Sequence, residues 1–327
     1  VVKFSVVVFA YKRYAYLGEA VRSVALQTRL PDELLVFTDN REAVKEVLMR
    51  HGVSADVFYE PGLPKPAVYA LVGEVSSADY VLPLDDDDVF KRNKVEVLGS
   101  VLERSRWPLV KHAVDYIDLG SRPITWREQP AKPFVLTCRN VWSIYRYVYD
   151  MFHANASSFA VDKTLIEKYS DVLKRLKLLD DYAIFTLGIE EKGVLYLPYK
   201  LAYYRIGAGH SQFLGCNRLQ NLTCIWNKYL HDFAYLKEYL KCKTAKKLSI
   251  SNYIGYLYNV KLLEGVVKCR EYEYVRGTSF VGVLYETTRA LRYGIVSTIF
   301  LWLLLATLLG DEKIGKIHYY RLCKELL

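Results

Sequence analysis

The six cysteines, Cys138, Cys216, Cys224, Cys242, Cys269 and Cys323, include no CxxC pair and no zinc-finger spacing. That excludes the common structural zinc sites and leads us to expect reduced core thiols in an intracellular protein. Methionine is scarce, at two residues, beside 25% charged residues, a balance found in heat-adapted proteins, in which intracellular disulfides also occur. No low-complexity tract interrupts a chain that is 52% hydrophobic and 14% aromatic, so disorder and fibrous repeats are excluded and a packed core is expected. No charged-then-apolar leader opens the sequence, and secretion is not expected. No helix-turn-helix, zinc or RNP-like pattern supports a nucleic-acid partner.

Long hydrophobic runs are also missing. The charge-free segment 295–309, at about 1.5 Å per helical residue, falls short of the roughly 30 Å hydrocarbon core of a bilayer. Arg289 and Arg292 precede it, and Lys313, Lys316, Arg321 and Lys324 follow, so a single span would export a basic tail against the positive-inside tendency. An interfacial or re-entrant helix fits better, with burial in a core or partner interface as the alternative. Charge supports the membrane-surface reading: residues 216–327 carry 17 Lys and Arg against 9 Asp and Glu, whereas residues 1–215 are nearly balanced. A basic, Tyr-rich final segment suits an anionic surface. We therefore expect peripheral membrane contact, at the cytoplasmic face, through this region.

At 327 residues the chain exceeds the usual single domain, and the pattern divides at about residue 215. Before it, apolar β-branched runs (residues 3–11, 34–38, 55–59 and 80–84) alternate with helical patterns such as Leu17, Ala20, Val21 and Val24, which predicts a parallel sheet built from right-handed crossovers. Further strand material is expected at 108–119 and 194–206, and helices at 163–177 and 178–193. After residue 216 the strand signal gives way to helices rich in Tyr, Leu and Lys.

Within the first part, "DYVLPLDDDDVFKRN" drives an apolar strand into four adjacent carboxylates, Asp85 to Asp88. Their repulsion calls for an offset. A hard divalent cation, Mg²⁺ or Mn²⁺, matches oxygen ligands and cancels the charge, and two protein carboxylates suffice when a substrate diphosphate completes the shell. A solvated acidic loop is the plain alternative, but open α/β sheets bind ligands outside the carboxyl ends of their strands, where this run falls.

These residues resemble the inverting family 2 glycosyltransferases of the GT-A fold. "FSVVVFAYKRYAYLGEAVRSVALQT" is similar to that family's strand, turn and helix; "ELLVFTDN" stands at its second strand and nucleoside contact; "ADYVLPLDDDD" looks like its DxD segment. "LLDDYAIFTLGIEEKG" falls where the family has an acidic pair, a helix and a Gly, and "LAYYRIGAGHS" resembles its closing "YRxHxxxxS". The matches run in order over residues 3–212. The resemblance implies an α/β, GT-A-like nucleotide-diphospho-sugar transferase fold, a Rossmann-like mixed sheet flanked by helices, over residues 1–215, with a helical C-terminal extension over 216–327.

The resemblance also implies roles. Asp85 and Asp87 take the DxD positions, with Asp87 or Asp88 as the direct metal ligand and His210 as a possible further one, although an ordinary surface histidine is an equal reading. Asp39 contacts the base or ribose. Tyr11, Arg13, Lys65, Asp85 and Asp86 join it around the nucleotide-sugar. Asp181, beside Asp180, is the general base that deprotonates the acceptor hydroxyl, its pKa raised by its like-charged neighbour; a helix N-terminal pair complementing the helix dipole is the alternative. Aromatics between Trp126 and Phe159, including Trp142, Tyr145, Tyr147, Tyr149 and Phe152, lie where the family meets its acceptor, as does His153. Two departures stand out. Thr38 replaces the first member of the second-strand acidic pair, and Val68, Tyr69 and Ala70 stand where the family has Ala-Arg-Asn. No QxxRW follows His210, so a processive synthase is not expected.

The expected function is metal-dependent, inverting transfer of one sugar from a nucleotide-sugar donor to a hydroxyl of a glycan or polyprenyl-linked acceptor. The alternatives are a sugar nucleotidyltransferase, which would want a Gly-rich loop after the first strand that "FAYKRYAYLGEA" lacks, or a non-catalytic membrane-attached scaffold.

Overall fold

The structure, a computed structural model, describes residues 1–12, 14–140, 156–208, 219–243, 245, 246, 248–250, 252 and 253. The chain divides into two compact units, Val1–Gly209 and His210–Leu327. In the first, a sheet of ten strands carries helices on its faces.

The β-branched run Phe4–Ala10 forms β1, buried at every position. Helix α1 (Leu17–Ala25) turns Leu17, Ala20, Val21 and Val24 onto the sheet, the three- and four-residue spacing of one helical face. Strand β2 (Glu33–Thr38) leads to α2 (Arg41–His51), whose N-cap Asn40 accepts from the Ala43 N–H and whose end is set by Gly52 at φ 63°. Strand β3 (Asp56–Tyr59), α3 (Lys65–Val75) and β4 (Tyr80–Asp85) follow.

Beyond β4 come β5 (Val89–Phe90), α4 (Lys94–Leu102), β6 (Leu109–Ile117), β7 (Pro123–Ile124) and β8 (Phe134–Leu136). A 3₁₀ turn, Ala156–Ser158, enters β9 (Phe159–Asp162), and then α5 (Lys163–Lys168), α6 (Ser170–Arg175), α7 (Asp180–Glu191) and β10 (Val194–Arg205) complete the unit. In the second unit α8 spans Leu219–Tyr239.

The sheet order is β3-β2-β1-β4-β9-β6-β10-β5, with β7 on β6 and β8 on β10. Strands β1 to β4 are parallel, as the alternation predicts, and so are β6 and β10; β9 runs antiparallel to both β4 and β6, which makes the sheet mixed. The register pairs Phe9 with Asp85 and Ala10 with Thr38. The carboxyl ends of three strands therefore present Tyr11, Asp39 and Asp85 along one rim. The helical stretch expected over 163–177 is made of two helices, divided at Tyr169, which serves as C-cap of one and N-cap of the next. Helix α7 packs tightly on β6: a methyl group at Gly188 would meet Leu109 Cβ at 3.0 Å.

The thiol expectation is corrected. Cys138 and Cys242 are each disulfide-bonded. Spacing along the chain carries no record of which sulfurs approach in space, since that is fixed by Cα separation and Cβ direction. Among the described residues no helix is long and apolar enough to cross a membrane. The segment 295–309 and the aromatics Trp142, Tyr145, Tyr147, Tyr149 and Phe152, with His153, lie outside the described residues.

Candidate active site

Strand β4 delivers Asp85 as its last residue, and the turn into β5 holds Asp86, Asp87 and Asp88. Carboxylate oxygens of Asp85, Asp87 and Asp88 lie within 4.8 Å of one another, a spacing at which one hard cation can accept from several of them. Asp86 is buried in the same turn but outside this group. Three carboxylates this close, with Asp85 only half-buried, fit a divalent ion that keeps open positions for a substrate.

A cation there would not be the sole offset to their charge. Ser157, in the 3₁₀ turn, accepts from the Asp85 N–H at 3.0 Å and bonds the Asp88 carboxylate, while its own carbonyl accepts from Lys94 Nζ at 2.7 Å. Arg205, the last residue of β10, is fully buried. Its backbone N–H donates to Asp88 Oδ1 at 3.0 Å and its Nε to the Asp87 carbonyl at 2.8 Å, and its guanidinium reaches on to Ser121, the Asp118 carbonyl and Glu19. Burial first, then the fields of Asp87 and Asp85, raise the Asp88 pKa well above the usual carboxylate range. Burial drives the Lys94 amine the other way, opposed by Asp88.

At the other side stand Asp180 and Asp181 in the first turn of α7. Lys65, the first residue of α3, joins the two motifs: its Nζ lies 2.6 Å from Asp85 Oδ1 and 2.9 Å from Asp180 Oδ2, over the Phe9 ring at 4.8 Å. The acidic run and the acidic pair, about a hundred residues apart in sequence, thus share one cluster. Asp181, half-buried, accepts from the Tyr182 N–H at 2.7 Å. Its pKa is pushed up to about 7 by burial and then by Asp180, with Lys65 pulling it down. Asp180 is raised as well, by burial, against the pull of Lys65. Beneath them Lys111, on β6, is buried and donates to Ser158 Oγ at 3.0 Å; burial lowers its pKa to about 7, opposed by Asp181.

Along the rim, Asp39 receives the Lys12 backbone N–H at 3.1 Å and the Tyr14 hydroxyl. Lys12 holds φ 61° to make this turn. A pocket beside it is lined by Asp39, Asn40, Arg41, Glu42 and Tyr59. The Tyr11 hydroxyl is buried without a hydrogen-bond partner and feels Glu60, Asp39 and Lys65. Of the residues expected from sequence, Tyr11, Asp39, Lys65, Asp85, Asp87, Asp88, Asp180 and Asp181 therefore line one continuous strip. Arg13 and His210 lie outside the described residues.

Sequence reasoning passed over Ser157, Arg205, Lys94 and Lys111. For the last there was a signal: a Lys-His pair inside the apolar strand "LVKHAV" cannot reach solvent from both faces of a buried strand. His112 is buried too, its Nδ1 on the Ala113 carbonyl at 2.7 Å.

Comparison with known proteins gives a consistent picture. A family model described as "Glycosyl transferase family 2" matches residues 5–160. None of the curated proteins matches. Crystal structures of TarS from S. aureus are similar. The fragment 1–349 in complex with UDP-GlcNAc shares 15% identity at a TM-score of 0.54, with 94% of this chain and 92% of that one covered. The same fragment without ligand in its description shares 14% at 0.52 over the same shares. A longer TarS chain shares 12% at 0.50, with 89% of this chain and 54% of that one covered. At such identities the likeness establishes the fold, a GT-A-like mixed sheet flanked by helices.

Proposed function

We propose, from the match of residues 5–160 to the glycosyl transferase family 2 model, that the chain transfers one sugar, with inversion and without processivity, from a nucleotide-sugar donor to a hydroxyl of a glycan or lipid-linked acceptor. The observation that carries this reading is the Lys65 bridge between Asp85 and Asp180, which puts a carboxylate of the metal-binding run and the candidate base pair within reach of one small substrate.

In this reading Asp85, Asp87 and Asp88 hold Mg²⁺ or Mn²⁺, which, when bound, neutralises the departing nucleoside diphosphate as a Lewis acid. Asp39 and the pocket beside it receive the nucleoside, and Tyr11 and Lys65 flank the path from there to the acidic run. Asp181 takes the proton of the acceptor hydroxyl. A carboxylate held near neutrality suits that task, because an ordinary one is too weak a base to compete for an alcohol proton. Single displacement from the face opposite the leaving group inverts the anomeric centre. The basic composition of residues 216–327 supports contact with an anionic membrane surface at the cytoplasmic face, where a polyprenyl-linked acceptor would lie.

A thermal-shift panel of nucleoside diphosphates, with UDP and UDP-GlcNAc included, tests the donor site. One base should raise the melting temperature by several degrees with Mn²⁺ and far less without it, as ligand linkage requires. A panel in which no nucleoside diphosphate stabilises the protein at millimolar concentration refutes the reading.

A further inference from the structure

Tyr69 stands where the family this sequence resembles has an arginine. The phenol supplies no positive charge. It is fully buried, its ring packs on Phe9 at 4.9 Å between centroids, and its hydroxyl has no hydrogen-bond partner. Yet it lies in the field of Lys65, Asp180, Asp85 and Asp181, a place crowded with carboxylates. Lys65 and Tyr69 are four residues apart on α3 and so share one helical face.

We propose that Lys65, one turn before Tyr69 on α3, is the counter-cation of this site. Its ammonium holds Asp85 and Asp180 together and faces the donor's diphosphate, while Tyr69 packs on Phe9 in the next turn. The proposal rests on the donor-binding reading above and adds a positioning and charge role that neither acidic motif supplies. Two carboxylates from distant elements that meet within hydrogen-bond reach of one point repel each other unless a cation stands there, and ion pairs of this length are the strong, charge-assisted kind.

The role has a signature that damage to the fold does not share. Lys65→Met removes a positive charge from beside the acidic run. Mn²⁺ alone, titrated by electron paramagnetic resonance, should then bind more tightly than to the native chain, because one repelling charge is gone. UDP, titrated calorimetrically at saturating Mn²⁺, should bind roughly tenfold to a hundredfold more weakly, the loss expected for a hydrogen bond to a charged group. The double variant Lys65→Met/Tyr69→Arg returns the charge from the next turn and should move both affinities back toward native values. Misfolding or loosening of the site would lower both affinities together.

The proposal is overturned if the two affinities fall together, if neither moves, or if the double variant behaves like Lys65→Met. Should Lys65→Met fail to fold, the double variant decides: near-native UDP affinity supports the proposal and its absence overturns it. A native chain that binds neither Mn²⁺ nor any nucleoside diphosphate of the panel overturns the donor-site reading and this proposal together, whereas native binding that is indifferent to Lys65 overturns this one alone.

Discussion

Replacing Asp181 by Asn should stabilise the protein while abolishing transfer, and the gain should depend on pH in a defined direction. In the folded chain the carboxyl titrates at about 7, raised by burial and by Asp180, against about 3.9 in an unfolded chain. A raised pKa means that folding favours the protonated form. The associated stability is fully present below about pH 4 and is lost as pH climbs to about 7, beyond which the penalty of a buried, repelled carboxylate stays constant. At about 1.4 kcal/mol per pH unit the whole interval would correspond to about 4 kcal/mol. Because Asp181 keeps part of its surface in solvent, screening reduces this to about 1–2 kcal/mol.

Asparagine keeps the oxygen that accepts from the Tyr182 N–H, so the substitution removes charge without opening a cavity. The variant should melt roughly 2–8 °C above the native chain at pH 8, with a smaller advantage at pH 5, when both are measured by differential scanning fluorimetry in the same metal-free buffers. If Asp181→Asn gains nothing at pH 8, or gains as much at pH 5, the environment assigned to this carboxylate is wrong.

Two further substitutions probe the frame around the site. Lys111→Met should also stabilise, with the opposite pH trend: burial depresses the amine to about 7, so its penalty is absent above the unfolded value of about 10.4 and grows as pH falls toward 7; the melting-temperature gain should be larger at about pH 6.5 than at about pH 9.5, and an equal gain at both would contradict the buried-amine account. Gly193→Ala should cost about 2–4 kcal/mol, since Gly193 holds φ 116° and a methyl group there would sit 2.5 Å from the Leu136 carbonyl oxygen; native-like chemical denaturation would show that the turn from α7 into β10 is looser than described.

What was legible in the sequence was local and periodic. Residues 4–10 read as a buried strand because every position is β-branched, aromatic or small, and α1 showed its apolar face at three- and four-residue spacing. The acidic run could be placed at a strand's carboxyl end because the apolar run before it is unbroken, and Asp180–Asp181 at a helix N-terminus because the pattern that follows is helical. What escaped was whatever depends on distant chain segments meeting. Lys65 was expected beside the nucleotide-sugar, but only the packing of α3 beside β4 and α7 makes it a bridge. Ser157 lies in a three-residue turn and carries no motif, yet it holds both ends of the acidic run. The short strand β9, four residues long, reverses the sheet, and its length gives periodicity too little to work with. Lys94, Lys111 and Arg205 defied the expectation that long charged side chains stay in water: Arg205 carries its charge into the fold beside the acidic run, whereas burial pushes the two amines toward their neutral form.

The central claim is that the run at Asp85 to Asp88 and the pair at Asp180 and Asp181 are two halves of one metal-dependent transfer site. Release of nucleoside diphosphate from the donor picked out by the thermal-shift panel, followed with and without Mn²⁺ in the native chain, Asp87→Ala and Asp181→Asn, measures it directly. Turnover that requires the cation and falls at least about a hundredfold in each variant, while both variants stay folded, is the predicted result. Metal-independent release, or native-like rates in either folded variant, would contradict it.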